Sequence, residues 1–336
     1  MPLLSRGSHW VWRGVLLALV VVSVGAALCL GSETFPPQRV WELLLRGEEP
    51  SDSASVILWQ LRLPRASMAA LVGVLLSVTG VLLQGLLRND LADPYTIGVS
   101  SGAALGAAAA VLAGWETRWH GFGVPAFAFL CAIAATALVL AVARRGGLIR
   151  VSVFLLAGIV VSSFMWSGVT LMLTLAGADL GRVLFWLMGS FADAEWTRVR
   201  LLLPFVVLGV AGLRTMAYGL NAFALGEESA AHLGIDVERL KRRAIVLAAL
   251  CTAAAVSVSG IIGFVGLVVP HLARRLFGAD HRQLCWSAAV IGAALMVWAD
   301  TLARTVARPA EIPVGVITAL LGAPFFIALL RRERLA

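Results

Sequence analysis

The chain is a succession of charge-free apolar runs, each near the length a helix needs to cross a lipid bilayer. Roughly 30 Å of hydrocarbon takes about 20 apolar residues in an α-helix. Backbone N–H and C=O groups find no water there, and a helix satisfies them within its own segment. Nine runs qualify: Gly14–Ser32, Ala66–Leu87, Pro94–Trp115, Trp119–Ala143, Val151–Ala178, Leu201–Leu213, Ala244–Ala273, Gln283–Ala299 and Ile312–Leu330. The seventh is long for one span and contains Gly260, Gly263, Gly266 and Pro270, which loosen a helix and allow a tight reversal. Divided at about Ser259–Gly263, it brings the total to ten. The expected fold is therefore all-α and polytopic, one membrane domain over residues 1–336. Its helices fall near 11–32, 62–87, 94–115, 120–143, 150–176, 196–214, 239–259, 263–277, 283–304 and 312–331.

Composition agrees. Hydrophobic residues make up 60% and charged residues 14%, against roughly 45–50% and about 25% in soluble domains. The net charge is +8, carried by 26 arginines and a single lysine, Lys241. The arginines sit singly or in short clusters between the apolar runs, which argues against nucleic acid and for topology. With the N-terminus inside and ten alternating spans, 17 of the 27 cations fall on the inner side, from Arg6 and Arg13 to Arg334. Both termini are therefore expected in the cytoplasm. Arg6 and Arg13 precede an apolar run long enough to span, with no A-x-A site closing it, so a retained first helix is expected rather than a cleaved signal.

Several chemistries lack their residues. A phosphate-binding loop needs lysine after a glycine-rich turn, and Lys241 follows Val237, Glu238, Arg239 and Leu240 instead. The chain should not hydrolyse ATP by itself. His9, His120, His232, His271 and His281 form no metal-binding spacing, and Cys29, Cys131, Cys251 and Cys285 form no CxxC. Ion-coupled transporters bury acids at mid-membrane. Here almost every Asp and Glu sits in a loop or at a helix end; Asp300, just past the run ending at Ala299, is the exception, four residues before Arg304, so the two can pair on one helix face. An ion-gradient-driven secondary transporter is the alternative these residues support least.

Two polar segments do not span. Gly177–Glu195 holds an amphipathic piece, Arg182–Met188. Gly219–Glu238 reads as two short helices broken at Gly226 and Gly234, with Glu227 and Glu228 opening the second, where the helix dipole favours negative charge. Such a loop on the cytoplasmic side is a natural docking surface. The cluster Gly98, Ser100, Ser101, Gly102, Ala103, Gly106 and Ala107 permits close helix approach or a smooth pore wall.

Six blocks then carry a resemblance. Leu61–Arg65 (LRLPR), Leu83–Gly98, Val99–Gly106, Ala224–Gly234 (ALGEESAAHLG), Gly263–Arg275 (GFVGLVVPHLARR) and Ala299–Leu330 occur in order from about residue 60 to the C-terminus. Together they resemble the FecCD-type permeases, the ABC importer family for iron complexes and vitamin B12. The resemblance implies a type II ABC importer permease with ten helices in a bacterial inner membrane. It implies a second permease copy or a homologous permease, two ATP-binding-cassette ATPase subunits, a periplasmic or extracellular substrate-binding protein, and no cofactor. A ferric siderophore is the first expectation for cargo, then haem, then a cobalamin.

The same resemblance implies roles for particular residues. Arg62, Arg65 and Arg304 match outward-facing arginines that receive acids of the binding protein, with Arg308 a nearby further candidate. Ala222, Leu225, Gly226, Glu227, Glu228, His232 and Gly234 match the loop seated in the ATPase. Asn89, Asp90 and Leu91 match one cytoplasmic gate, and Val151 and Ser152 a second. The family usually has proline where this chain has Asp90, and a solvated carboxylate is expected there.

Overall fold

The computed structural model describes residues 9–31, 33–46, 52–119 and 121–333; Arg6, Ser32, His120 and Arg334 lie outside the described residues. Helix α1 (His9–Cys29) is followed by a short amphipathic helix, α2 (Pro37–Arg46). Helix α3 (Ser53–Leu87) comes next, then α4 (Val99–Leu112) and α5 (Gly123–Ala143). A hairpin of β1 (Arg144–Arg145) and β2 (Leu148–Ile149) leads into α6 (Val151–Leu175). Its turn is Gly146–Gly147, both left-handed, as a two-residue hairpin requires. Then come α7 (Leu180–Leu187), α8 (Trp196–Phe223), α9 (Glu227–His232), α10 (Val237–Ser259), α11 (Val265–Phe277), α12 (His281–Thr305) and α13 (Val314–Glu333).

Seven of these helices, α1, α3, α5, α6, α8, α10 and α12, are long and apolar enough to cross a membrane. The shorter apolar α4 and α13 join them, and α11 completes the bundle. The 13 residues of α11 rise only about 20 Å, so the chain before it must enter the bundle without helical hydrogen bonds. That segment is Gly260–Phe264. The Tyr95 hydroxyl donates to the Ile262 carbonyl at 2.7 Å and accepts from the Ile262 N–H at 3.0 Å. Ser190 N–H donates to the Ser259 carbonyl at 2.8 Å, and Gln84 Nε2 donates to the Gly266 carbonyl at 3.2 Å. Each unsatisfied group in this setting would cost several kcal/mol. Groups distant in sequence, two side chains and one backbone N–H, therefore make the break tolerable.

Helix α3 is the central column, packed against α8, α10, α11 and α12. Small residues set its distance from α12: a Cβ on Gly73 would strike the Gly292 carbonyl, and one on Gly292 would strike Ser77 Oγ. At the periphery, α6 packs against α4 and α5 and leaves Leu156, Ile159, Val160, Phe164 and Leu171 exposed. An apolar face this wide is unsuited to water and suits lipid or a partner helix.

The structure corrects several boundaries. The expected span at 94–115 is divided, because Asp93 accepts from Tyr95 N–H to cap a 3-10 turn, Pro94–Ile97, and left-handed Gly98 then restarts the chain as α4. The span expected at 62–87 begins at Ser53 and carries a π-helical stretch, Ile57–Arg62, so Arg62 lies within a helix. The span expected at 196–214 runs on to Phe223, because Leu213, Ala217 and Leu220 continue its buried face. Residues 219–223 of the expected loop are thus helical, and the loop holds one short helix, α9, rather than two. Glu227 and Glu228 stand in its first turn, between positive-φ Gly226 and Gly234.

Candidate functional site at the two ends of the bundle

Charged side chains collect at opposite ends of the bundle, where helix termini and loops offer them partners. At one end the start of α3 meets the end of α12 and the segment before α13. Arg65 Nε donates to both Asp300 oxygens at 3.0 and 3.1 Å, while Nη1 and Nη2 fork onto Glu311 at 3.2 and 3.0 Å. A planar guanidinium facing two carboxylates in this way is geometrically selective. Arg304 Nε lies 3.3 Å from Asp300 and its Nη2 donates to the Ala27 carbonyl at 2.8 Å. The pairing of Asp300 with Arg304 along one helix face therefore forms, with Arg65 as a second partner.

Arg62 departs from the outward-facing role implied for it. It is 4% exposed. Its guanidinium lies over the Phe35 ring at 4.3 Å and donates to the carbonyls of Leu28 (2.6 Å), Cys29 and Glu33. Arg62 therefore pins the chain that follows α1. Arg304 is likewise buried. The more open cations are Arg65, partly covered, and Arg308, which is exposed and makes no ion pair among the described residues. All four arginines border a cavity of about 480 Å³ together with Glu311. Glu311 is not legible as a partner in the sequence, since it lies 246 positions from Arg65 and no local spacing links them.

At the other end, the residues matched to the first gate follow α3. Arg88 is left-handed at φ 48° and its guanidinium stands 5.7 Å from the Phe223 ring at the end of α8. Asn89 Oδ1 accepts from Leu91 N–H at 2.9 Å and shapes the turn. Asp90 is not simply solvated: it pairs with Arg274 Nη1 of α11 at 2.6 Å. The same arginine donates to Gln84, whose amide bridges to the carbonyls of Ala92 and Gly266. Proline at position 90 would leave Arg274 without this carboxylate.

Residues Val151 and Ser152, matched to the second gate, open α6 directly after the hairpin. Of the residues matched to the ATPase-facing loop, Ala222 is buried at the end of α8, Leu225 and Gly226 form the turn, and Glu227, Glu228 and His232 lie on α9. Leu225 is exposed, as are Glu228, His232 and Gly234. Nearby, Asn221 Nδ2 donates to Asp280 Oδ1 at 2.8 Å, and Asn221 Oδ1 accepts from His281 N–H at 3.0 Å. Burial alone would raise the Asp280 carboxyl, and its hydrogen bonds from Asn221 and Arg282 N–H override this and hold it below its ordinary value. The three residues tie the end of α8 to the start of α12.

Comparison with known proteins follows the same outline. Residues 16–332 match the FecCD transport family. The ABC transporter permease protein YvrB of Bacillus subtilis is 40% identical over 98% of this chain and 95% of its own. The hemin transport system permease protein HmuU of Yersinia pestis is 38% identical over 95% of each chain. The cobalamin import system permease protein BtuC of Halobacterium salinarum is 43% identical over 83% of this chain and 74% of its own. Among solved structures, an inward-facing metal-chelate type ABC transporter superposes with a TM-score of 0.84 and 31% identity, covering 95% of this chain and 98% of the other.

Proposed function

Since the chain belongs to the FecCD transport family and is a multi-pass ABC importer permease, we propose that it carries an iron chelate inward, a ferric siderophore before haem or a cobalamin. The observation that supports this reading best is the distribution of charge. Ionisable groups lie at the two ends, and the buried acid Asp300, near the end of α12, is held by Arg65 and Arg304. A passage so neutral suits a bulky cargo driven by a separate ATPase and gives an ion gradient little to act upon.

The arginine-rich end faces outward in this reading, and the termini and α9 face the cytoplasm of a bacterial cell. A soluble binding protein presents carboxylates to Arg65 and Arg308, with Arg62 and Arg304 bracing the surface from behind. Two ATPase subunits seat α9 and its flanking turns, Leu225 to Gly234. A second copy of the chain completes the path. The loops Asn89–Leu91 and Val151–Ser152 close its inner mouth. Transport is a shift between outward- and inward-open packings, biased by what binds at each end.

Uptake into proteoliposomes holding the chain, its ATPase and its binding protein tests the proposal. Accumulation of a ferric siderophore that requires ATP is the expected result. Accumulation that follows an imposed proton or sodium gradient without ATP would overturn the ATP-driven reading, and ATP-driven uptake of haem or cobalamin alone would move the cargo assignment.

A further inference from the structure

Lys241 is the chain's only lysine beside 26 arginines, and it is 3% exposed near the start of α10. An ammonium has three N–H donors. This one meets three acceptors: the Ile149 carbonyl at 3.0 Å, Glu238 Oε1 at 2.9 Å, and Glu227. The second oxygen of Glu238 accepts from Ile149 N–H at 2.8 Å. Lys241 and Glu238 thus hold both backbone groups of one residue. Ile149 closes the hairpin two residues before Val151, where α6 begins. Glu227 is the first residue of α9. Three elements, α9, α10 and the hairpin, meet at a single nitrogen.

The residue type fits the geometry. A guanidinium spreads its donors in a plane around a wider group, whereas an ammonium is a compact point charge with donors directed to three sides. The lysine is covered while Glu227 and Glu238 reach solvent, so all three contacts converge on one buried nitrogen. The cluster therefore favours motion of its three elements together.

We propose that Lys241 is a positioning residue that passes displacement of α9 to the start of α6, along Glu227, Lys241 with its partner Glu238, and Ile149. The inference rests on the reading of α9 as the ATPase contact. A movement imposed there by nucleotide reaches Val151 and Ser152 through this junction.

Nitroxide labels at Leu233, just past α9, and at Leu148 in the hairpin test it; both positions are exposed. The labels go into the assembled complex in lipid nanodiscs, with Cys29, Cys131, Cys251 and Cys285 replaced, and spectra are compared with and without ATP plus vanadate. Both labels respond in the otherwise unaltered chain. In Lys241→Met the Leu233 response persists and the Leu148 response is lost, while cargo imported per ATP falls about tenfold. Lys241→Arg does not restore it. Glu238→Gln, a milder change at a partly exposed side chain, gives the same split between labels should Lys241→Met fail to assemble. A Leu148 label that still responds in either variant overturns the junction. A Leu233 label silent in the unaltered complex overturns the ATPase reading of α9, and the junction with it.

Discussion

The two charged ends of the bundle are built differently. At the arginine-rich end, Asp300 is buried between Arg65 and Arg304, and Arg62 is consumed by three carbonyls of the chain leaving α1. These contacts lock α1, α3 and α12 into one unit. At the other end, Lys241 joins a hairpin, a short helix and a long helix that share no large packed face, and two of its partners, Glu227 and Glu238, reach the surface. The first arrangement suits a fixed platform and the second suits a joint. Similar residue types serve both. What separates them is whether the partners sit on long helices already packed together or on short elements with only a small packed area between them.

The largest expected effect breaks the platform. Asp300→Asn leaves Arg65 and Arg304 without their shared carboxylate, and breaking a buried pair by removing one partner costs about 3–5 kcal/mol. The purified variant in detergent is expected to unfold at a clearly lower temperature, read by the exposure of buried Cys251 and Cys285 to a thiol-reactive dye. An unchanged transition would mean that this end does not depend on Asp300.

Next in size is a change that separates bracing from contact at the same end. On the proposed reading, Arg308→Glu reverses an exposed charge facing the binding protein and is expected to weaken docking by about tenfold, or about 1.4 kcal/mol. Arg62→Gln is expected to change docking much less and to lower thermal stability instead, since its guanidinium holds the backbone at Leu28, Cys29 and Glu33. Binding of the soluble partner to nanodisc-held complex measures both. Equal loss of affinity in the two variants would return Arg62 to the contact surface.

Much of this was legible before the structure. The apolar runs announce the long helices because each must satisfy its backbone alone in lipid. Glu227 and Glu228 stand at a helix start where their charge belongs, and Asp300 pairs with Arg304 as a spacing of four permits. What stayed hidden depends on distant partners. Tyr95 lies 167 residues from Ile262, yet its hydroxyl is what allows the break before α11. Arg62 reads as an exposed interfacial cation until Phe35 and three carbonyls are seen around it. The lone lysine in sequence shows only the phosphate loop it does not make, and the folded chain brings Ile149 to it across 92 positions.

The smallest expected stability change concerns the loop after α3, proposed above as an inner gate, which shares features of both ends. Asp90 is well exposed, while its partner Arg274 is largely covered and also holds Gln84. A pair with one side in solvent contributes about 0–1 kcal/mol, so Asp90→Asn is expected to leave the unfolding temperature nearly unchanged. On the proposed reading, its consequence lies in gating. Without the carboxylate, Asn89–Leu91 loses its charged tie to α11 and the inner mouth opens more readily. A cysteine placed at Leu91 in a cysteine-replaced background is then expected to react a few-fold faster with a membrane-impermeant maleimide added from the ATPase side. Added salt screens exposed pairs, so raising ionic strength should speed the reaction in the chain with Asp90 and have little effect in the asparagine variant. Equal rates in both, at every salt concentration, would show that the Asp90–Arg274 contact does not restrain the loop.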